Sequence, residues 1–357
     1  MKFIISAGGT GGHIMPALSI SQELIKRGHQ VLYIGNKDSM EEKIITKNKI
    51  DFEAINVQKL YRKFTLKHIF FPFKLFNSIN KVKKIFKKYQ PDAYIGCGGF
   101  VSGPSGFVAR GKKVPYFLQE QNSYPGLTTR ALEADANTIF IGQGDAKKYL
   151  KNSNIIYSGN PLNKTLVNSE RIADMTDYQF DREKKTLFII GGSQGSQFLN
   201  YMMKNTLDRL LEHYNIIWQL GVKNLDEFQD DHKEKKGLFM FGFSYDIDAL
   251  YNIADIAICR AGAITIAELE AKKIPALLIP LPSAAENHQY KNALEQTSKN
   301  IAITLEQNNL DYNTLIAELD KLSSNYDYYK QNFEQCVHTS AVDTIVSSIL
   351  EKLHKDK

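Results

Sequence analysis

The sequence has few of the features that mark a secreted, disulfide-bonded or membrane-spanning protein. Its only cysteines are Cys97, Cys259 and Cys336, which are too scattered for a disulfide framework or a metal knuckle. No window of 18 residues is uninterruptedly apolar, so no bilayer-spanning helix is predicted. The opening residues MKFIISAGG lack the apolar core and cleavage site of a signal peptide. These absences predict a protein of a reducing compartment that does not span a membrane.

Acidic side chains are scarce in the first half of the chain. Residues 1–160 carry 24 Lys and Arg against 11 Asp and Glu, whereas the remaining residues carry 21 against 28. Between Ala54 and Pro91 there is no acidic residue at all. This asymmetry indicates an anionic partner for the first half only.

What the sequence does contain is an alternation of apolar, β-rich runs with segments of helical period. This pattern is typical of α/β domains built on parallel sheets. A length of 357 residues favours two domains, and the Gly/Asn/Pro cluster Ser158–Lys164 predicts the hinge between them. The predicted strands are Lys2–Ser6, Gln30–Ile34, Ala93–Ile95, Tyr116–Gln119, Thr138–Ile141, Ile155–Tyr157, Thr186–Ile190, Asn215–Gln219, Leu238–Phe241, Ile256–Cys259 and Ala276–Pro280.

A glycine-rich loop, SAGGTGGHIMPAL, follows the first predicted strand. It does not fit the dinucleotide fingerprint, because Ile14 stands where the third glycine belongs and Asp38 lies well past the end of the next strand. A glycine loop that leads into a helix still presents free N–H groups to a phosphate or a developing anion. His13 directly behind it is either a structural residue of the helix start or a general base.

A similar loop, GGSQGS, opens the second half. Ser193 in this loop could cap the following helix and donate its hydroxyl to a phosphate. Further on, Arg260 precedes a predicted helix that carries Glu268 in its first turn. Glu268 either accepts ribose hydroxyls or merely complements the helix dipole. Gln289 and Asn292, three residues apart on one helix face, either bind sugar hydroxyls or face solvent.

Six motifs of the chain occur in the order and spacing of one enzyme family. They are GGTGGHIMPAL, GGFVSGPSG, EQNSYPGLTTR, GNPL, GGSQGS and the run from RAGAITIAE through IPALLIPLP to NHQYKNA. From about residue 3 to about residue 295 the chain resembles the MurG family of peptidoglycan N-acetylglucosaminyltransferases, in glycosyltransferase family 28. The resemblance implies an α/β GT-B fold, two Rossmann-like doubly wound domains facing a central cleft. The expected domains are an acceptor- and membrane-facing one (1–160), a UDP-GlcNAc-binding one (161–338), and a C-terminal helix (339–357) that crosses back to the first.

The resemblance also implies a reaction. It predicts inverting transfer of GlcNAc from UDP-GlcNAc to the 4-hydroxyl of MurNAc in lipid I, undecaprenyl-pyrophosphoryl-MurNAc-pentapeptide, giving lipid II for peptidoglycan synthesis. A single displacement with inversion needs one base and no nucleophilic carboxylate. No essential cofactor or metal is expected, since a helix dipole and backbone amides can stabilise the departing UDP. The expected location is the cytoplasmic face of the plasma (inner) membrane, as a peripheral protein, with cell-wall synthesis proteins as candidate partners.

Matched to the family's motifs, individual residues receive roles by resemblance. His13 is the candidate catalytic base. Ser193 and the start of the helix at Ala263 would contact the diphosphate, the backbone near Ser244 the uracil, and Glu268 the ribose. The residues expected to bind UDP-GlcNAc are Thr10, Gly11, Gly12, Asn122, Ser193, Ser244, Arg260, Ala263, Ile264, Thr265, Ile266, Ala267, Glu268, Gln289 and Asn292.

Three positions depart from the family's pattern. Asn163 stands where the family often has Arg, so that a cationic donor contact is missing or is supplied by Arg260. Gln119 replaces the histidine of the HEQN motif, which excludes a base there and leaves its neighbour Glu120 a doubtful site residue. Phe100 replaces a tyrosine and cannot supply its hydroxyl.

The acid-free stretch from Ala54 to Pro91 combines ten basic residues with six phenylalanines. No recognised nucleic-acid-binding motif accompanies this stretch, so no nucleic-acid partner is expected. We interpret it as a patch that docks on an anionic membrane surface, although some of the phenylalanines could belong to the core. The residues predicted to face the membrane are Lys67, Phe70, Phe71, Phe73, Lys74 and Phe76.

Other functions fit parts of this pattern. A UDP-GlcNAc 2-epimerase would share the fold but would not need the basic, lipid-facing patch. A glycolipid synthase would share the patch, although GGFVSGPSG and EQN disfavour it. A non-catalytic nucleotide-sugar-binding scaffold would have no need of a base at His13.

Overall fold

The structure is a computed structural model that describes residues 1–58, 71–174, 178–192, 195–229, 235–242, 244, 247–333 and 336–355. The chain forms two compact units. The N-terminal unit comprises Met1–Asn163 together with Val337–Lys357, and the C-terminal unit comprises Lys164–Cys336.

Strands and helices alternate along the described chain. The strands are β1 Lys2–Ser6, β2 Gln30–Asn36, β3 Asp51–Ile55, β4 Ala93–Gly96, β5 Tyr116–Glu120, β6 Thr138–Ile141, β7 Ile155–Tyr157, β8 Lys185–Ile190, β9 Tyr214–Gln219, β10 Leu238–Phe241, β11 Ile256–Cys259, β12 Ala276–Leu278 and β13 Ala302–Thr304. The helices are α1 Gly11–Lys26, α2 Met40–Lys47, α3 Phe71–Tyr89, α4 Ser102–Gly111, α5 Leu127–Leu132, α6 Lys164–Asn168, α7 Gln197–His213, α8 Leu225–Gln229, α9 Ile247–Tyr251, α10 Ala263–Lys272, α11 His288–Ser298, α12 Tyr312–Ser324, α13 Tyr326–Gln331 and α14 Ala341–Lys355.

The N-terminal unit is built on a seven-stranded sheet in the order β3-β2-β1-β4-β5-β6-β7. All of its strand pairs are parallel. Helices cover both faces, so the central strands are apolar on both sides: Phe3 and Ile5 belong to one core cluster and Ile4 to another. Parallel strands place their carboxyl ends at one edge, where the loops carry the residues of interest.

Helix α14 completes this unit although it follows the C-terminal unit in sequence. Its side chains Ile345, Val346 and Ile349 are fully buried in the core cluster that contains Phe3. Arg27 at the end of α1 binds Asp343 of α14 at 2.9 Å.

The C-terminal unit is built on a six-stranded parallel sheet in the order β10-β9-β8-β11-β12-β13. Trp218 on β9 is fully buried in its core, beside Phe228 and the apolar face of α7. The two sheets thus repeat one plan, in which the first strand of each unit lies third in the sheet, with the next two strands on one side and the later strands on the other.

The strand predictions are confirmed, since every predicted strand is present within two residues at either end. Strands β3 and β13, each of which lies at an edge of its sheet, were not predicted. Across the part of the chain that the structure describes, no helix is both long and apolar enough to span a membrane.

Candidate active site

The glycine-rich loop between β1 and α1 forms a tight turn with an open helix start. Gly9 has a φ of +89°, and a Cβ there would approach a ring carbon of Phe100 to 2.9 Å, so the position requires glycine. Thr10 is the N-cap of α1, but its side chain makes no capping hydrogen bond. The first turn of α1 contains no acidic residue. The positive end of the helix dipole is therefore not offset from within the helix and can attract an anion.

His13 lies in this first turn, and its ring is held from one side. Its Nδ1 lies 2.7 Å from Oε1 of Gln121, which follows β5. The backbone passes close to the imidazole at Gly98 and Gly99, which have φ of +84° and +75°. A Cβ on Gly98 would lie 2.8 Å from Nδ1. The glycines of the GGF motif thus leave the space that the His13 ring occupies, a role that was not predicted from the sequence.

Glu120 holds the loop that follows β5. Its carboxylate is buried and accepts hydrogen bonds from the backbone N–H of Asn122 (3.1 Å) and of Gly126 (2.9 Å). It also accepts from the side-chain amide of Asn122 (3.2 Å) and the hydroxyl of Thr129 (2.7 Å). Glu120 therefore fixes the Asn122 side chain and the start of α5, which is a structural role.

In the C-terminal unit, Arg260 ties three segments together. It is 9% exposed, and its Nε donates to Oγ of Ser196 at 3.1 Å. Its other nitrogens donate to the carbonyl of Ile279 (3.1 Å) and to Oε1 of Gln307 (2.7 Å). Burial lowers the pKa of the guanidinium to about 10, so it remains charged at neutral pH. Asn163, which stands where the family often has Arg, is exposed and is the last residue of the chain before the C-terminal unit begins.

The start of α7 differs from the sequence prediction. Its N-cap is Ser196, whose Oγ accepts from the backbone N–H of Leu199, so the prediction that Ser193 caps this helix is wrong. Ser193 itself lies outside the described residues, as do the neighbours of Ser244 on either side. Their predicted contacts with diphosphate and uracil stay predictions.

The start of helix α10 resembles that of α1 in two respects. Its N-cap, Gly262, has no side chain with which to cap the helix, and its first turn holds no acid. Glu268 lies in the second turn rather than the first, so its predicted place was wrong. A dipole effect falls off within the first turn, which disfavours that role for Glu268. Ala263, Ile266 and Ala267 are buried, whereas Ile264 and Thr265 are partly exposed.

Glu268 is hydrogen-bonded to Tyr251, which lies at the end of α9. The tyrosine hydroxyl is buried and donates to Oε2 of Glu268 at 2.8 Å. Desolvation raises the pKa of the Glu268 carboxyl to about 7, and the hydrogen bond from Tyr251 opposes part of that rise. Tyr251 was not among the predicted site residues, because nothing in the sequence pairs it with Glu268.

Gln289 and Asn292 on α11 do not face solvent as freely exposed amides. Oε1 of Gln289 accepts from the backbone N–H of Leu281 at 2.9 Å, and the buried Asn292 donates to the carbonyl of Ala261 at 3.2 Å. Asn292 thereby fixes the turn that leads into α10. Binding of sugar hydroxyls by these two residues stays a prediction.

Helix α3 carries the described part of the predicted membrane patch. Phe73 and Phe76 are 69% and 65% exposed, and Lys74 beside them is exposed as well. Phe86, at the other end of the helix, is buried in the core. Lys67 and Phe70 lie outside the described residues, as does the side chain of Phe71.

Comparison with known proteins assigns these two units. Residues 3–141 match the glycosyltransferase family 28 N-terminal domain, and residues 186–347 match the glycosyltransferase family 28 C-terminal domain. A relative from Flavobacterium psychrophilum is 34% identical, over 100% of this chain and 99% of its own length. One from Bacillus subtilis is 31% identical, over 99% and 100%. Both are named UDP-N-acetylglucosamine–N-acetylmuramyl-(pentapeptide) pyrophosphoryl-undecaprenol N-acetylglucosamine transferase.

Comparison with solved structures supports the same assignment. The crystal structure of Acinetobacter baumannii MurG superposes with a TM-score of 0.75 at 25% identity, covering 98% of this chain and 99% of that one. A UDP-GlcNAc 2-epimerase from Neisseria meningitidis shares the fold at 15% identity, with a TM-score of 0.69 over 98% and 100% of the two chains. The two parallel-sheet units are thus those of a GT-B glycosyltransferase. The chain belongs to glycosyltransferase family 28, and its full-length relatives are of the MurG type.

Proposed function

We propose that the chain transfers GlcNAc from UDP-GlcNAc to the 4-hydroxyl of MurNAc in lipid I, with inversion, and so forms lipid II. The observation that carries the proposal is that two helices begin without a side-chain cap from the N-cap residue and without an acid in the first turn, and each of them carries one side chain that the reaction needs. Helix α1 bears His13, and α10 bears Glu268. Relatives of matching length that are named for this transfer support it.

The chemical step is a single displacement. The acceptor oxygen bonds to the anomeric carbon of GlcNAc as the bond from that carbon to UDP breaks, and UDP leaves with the electron pair. The hydroxyl proton passes to Nε2 of His13, which acts as general base. Thr10, Gly11 and Gly12 offer the helix start, and Asn122 is held on the neighbouring loop by Glu120. No covalent sugar–enzyme intermediate is involved, since the reaction inverts the configuration.

The C-terminal unit would bind the donor. The N-terminus of α10 would stabilise charge on the diphosphate, with Ser193 and the backbone from Ala263 to Ala267 as further contacts. Glu268 would accept hydrogen bonds from the ribose hydroxyls, Ser244 would mark the uracil site, and Gln289 with Asn292 the GlcNAc site. Arg260 contributes positive charge at the end of β11 and orders the loops around it. We expect turnover to need no metal, so that EDTA leaves the rate unchanged.

The acceptor lipid and the membrane belong to the same proposal. The exposed Phe73 and Phe76 with the lysines of α3 would dock the N-terminal unit on an anionic membrane surface, at the cytoplasmic face of the plasma membrane. Cell-wall synthesis proteins are proposed as further partners at that surface.

The test is a transfer assay. Purified protein is incubated with UDP-GlcNAc and a lipid I analogue, and the disaccharide product and UDP are measured. We expect both in equal amounts, and loss of at least about 100-fold in kcat for His13→Ala, the usual contribution of a general base. Binding of UDP-GlcNAc without transfer would leave only the scaffold function. Epimerised UDP-sugar without lipid II would point to the 2-epimerase. Full turnover by His13→Ala would remove its role as base.

A further inference from the structure

We propose that Gln121 is a positioning residue that selects the tautomer of His13, through a chain of buried amides that ends on backbone carbonyls. The chain runs from His13 through Gln121 and Gln119 to Asn160. All of its members belong to the N-terminal unit, and the three amide side chains are at most 2% exposed. For its catalytic consequence, this inference rests on the proposed function.

The orientation of the Gln121 amide follows from its neighbours. Its Nε2 lies 2.9 Å from the carbonyl oxygen of Cys97 and is also hydrogen-bonded to Oε1 of Gln119. A carbonyl oxygen only accepts, so the atom that faces it must be the NH₂ group. Both hydrogens of that group are then used. The remaining atom, Oε1, is the one that faces His13.

The orientation of Gln119 is fixed in the same way. Its Nε2 donates to Oδ1 of Asn160 at 3.2 Å, which leaves its Oε1 as the acceptor for Gln121. Asn160 is oriented in turn, because its Nδ2 donates to the backbone carbonyl of Gln121 at 3.0 Å. Its backbone N–H donates to Nδ1 of the buried His338 at 2.7 Å. A Cβ at Gly142 would lie 1.9 Å from Oδ1 of Asn160, so the chain depends on a glycine there.

The orientation of the Gln121 amide determines which ring nitrogen of His13 carries the proton. Oε1 of Gln121 can only accept, so Nδ1 of His13, 2.7 Å away, must carry the proton. In the neutral imidazole, Nε2 is then the nitrogen with the lone pair. This is the form that can take a proton from an acceptor hydroxyl. Gln119 stands where the family motif has histidine, and the amide there keeps the chain in one orientation without a group that titrates.

The first test reads the tautomer directly and does not depend on activity. The full chain is prepared with nitrogen-labelled histidine, and the His13 signals are assigned by their loss in His13→Gln. At a pH where the ring is neutral, we expect the proton on Nδ1 in the wild-type protein. A wild-type ring protonated on Nε2 would overturn the inference, whatever reaction the protein catalyses. This outcome needs no variant at Gln121 and so does not depend on how such a variant folds.

The second test uses Gln121→Met, which keeps the length of the side chain but removes its acceptor. We expect the proton to move to Nε2 in this variant. We expect kcat to fall by about 10- to 100-fold, the range seen when the partner that orients a metal-binding histidine is lost. The KM for UDP-GlcNAc should stay within about twofold, because the change does not touch donor binding.

Gln143→Met is the matched control. Gln143 is also a fully buried amide of the N-terminal unit, directly after Gly142, but it is not hydrogen-bonded to His13. It should leave both the tautomer and kcat as in the wild type. If Gln121→Met retains the proton on Nδ1, or if both variants lose kcat equally with the tautomer unchanged, Gln121 does not position His13. An inactive wild type with the Nδ1–H tautomer would contradict the proposed function and leave the tautomer assignment standing.

Discussion

At the scale of single residues, Glu268 is a carboxyl group whose surroundings disfavour its charge. Among the described residues, the carboxylate accepts one hydrogen bond, from Tyr251, whereas desolvation raises its pKa to about 7. Two ribose hydroxyls would donate hydrogen bonds to the ionised Glu268 carboxylate and so stabilise its charge. Under the proposed role of Glu268, binding of a ribonucleotide would therefore be coupled to loss of the Glu268 proton.

We predict that affinity for UDP rises as pH increases through about 7 and levels off above it. Below that value, protonated Glu268 accepts poorly, and affinity should fall by up to about tenfold per pH unit. Calorimetric titration between about pH 6 and pH 8.5 measures this. A UDP analogue without 2′- and 3′-hydroxyls is the control, because its phosphates titrate identically. If both ligands show the same pH dependence, Glu268 does not bind the ribose.

The same carboxyl should lower the stability of the fold above neutral pH. A raised folded-state pKa means that the contribution of Glu268 to stability is lost as pH rises through about 7. We predict that Glu268→Gln raises the free energy of unfolding at pH 8 by about 1–3 kcal/mol, with little gain at pH 5. The amide oxygen can still accept from Tyr251. Thermal unfolding at the two pH values checks this, and equal shifts at both would contradict it.

At the scale of elements, α3 has two ends with different environments. Phe86 packs in the core, whereas Phe73 and Phe76 project from the surface beside Lys74. The helix is thus anchored at its carboxyl end and presents apolar rings near its start. A helix of this kind suits docking in the headgroup region of a membrane.

We predict that Phe73→Ser with Phe76→Ser weakens binding to vesicles of anionic lipid by at least about tenfold, since burying one phenylalanine contributes about 1.5–3 kcal/mol. Sedimentation of protein with the vesicles measures the bound fraction. Phe107→Ser is the control, because Phe107 is an exposed phenylalanine of α4 in the same unit. Equal loss in both would show that the effect is not specific to α3.

The elements were largely predictable from sequence, and the site was less so. Central parallel strands such as β1 and β11 are buried on both faces and stand out as apolar runs. The edge strand β3, DFEAI, is largely half-exposed and mixes acids with apolar residues, and β13 has only three residues. Contacts such as those of Gln121 with His13 and of Tyr251 with Glu268 join residues far apart in sequence. Residue spacing carries no information about such pairs.

At the scale of the whole molecule, the chain forms the N-terminal unit, then the C-terminal unit, and then returns to the first with α14. The returning helix is not peripheral. Ile345, Val346 and Ile349 are fully buried in the core, and Lys352 donates to Oγ1 of Thr138 on β6 at 3.1 Å. The stability of the N-terminal unit therefore depends on residues that lie after residue 336.

We predict that Ile349→Ala destabilises the N-terminal unit by about 2–5 kcal/mol, the usual cost of such a cavity. Hydrogen exchange should become faster in β1 and α1 and stay unchanged in β8 and β9. Leu322→Ala, a fully buried position of α12 in the other unit, is the matched control and should give the opposite pattern. Faster exchange in β8 upon Ile349→Ala would mean that the two units unfold together.

The return of α14 also sets an order of events during synthesis on the ribosome. The C-terminal unit, Lys164–Cys336, has all of its strands and helices once residue 336 has emerged. The N-terminal unit is translated first, but it lacks four core side chains of α14 until the whole C-terminal unit has been made: Ile345, Val346, Ile349 and Leu353. The half of the chain that emerges first is therefore the half that finishes folding last, and until then it exposes the apolar surface that α14 will cover.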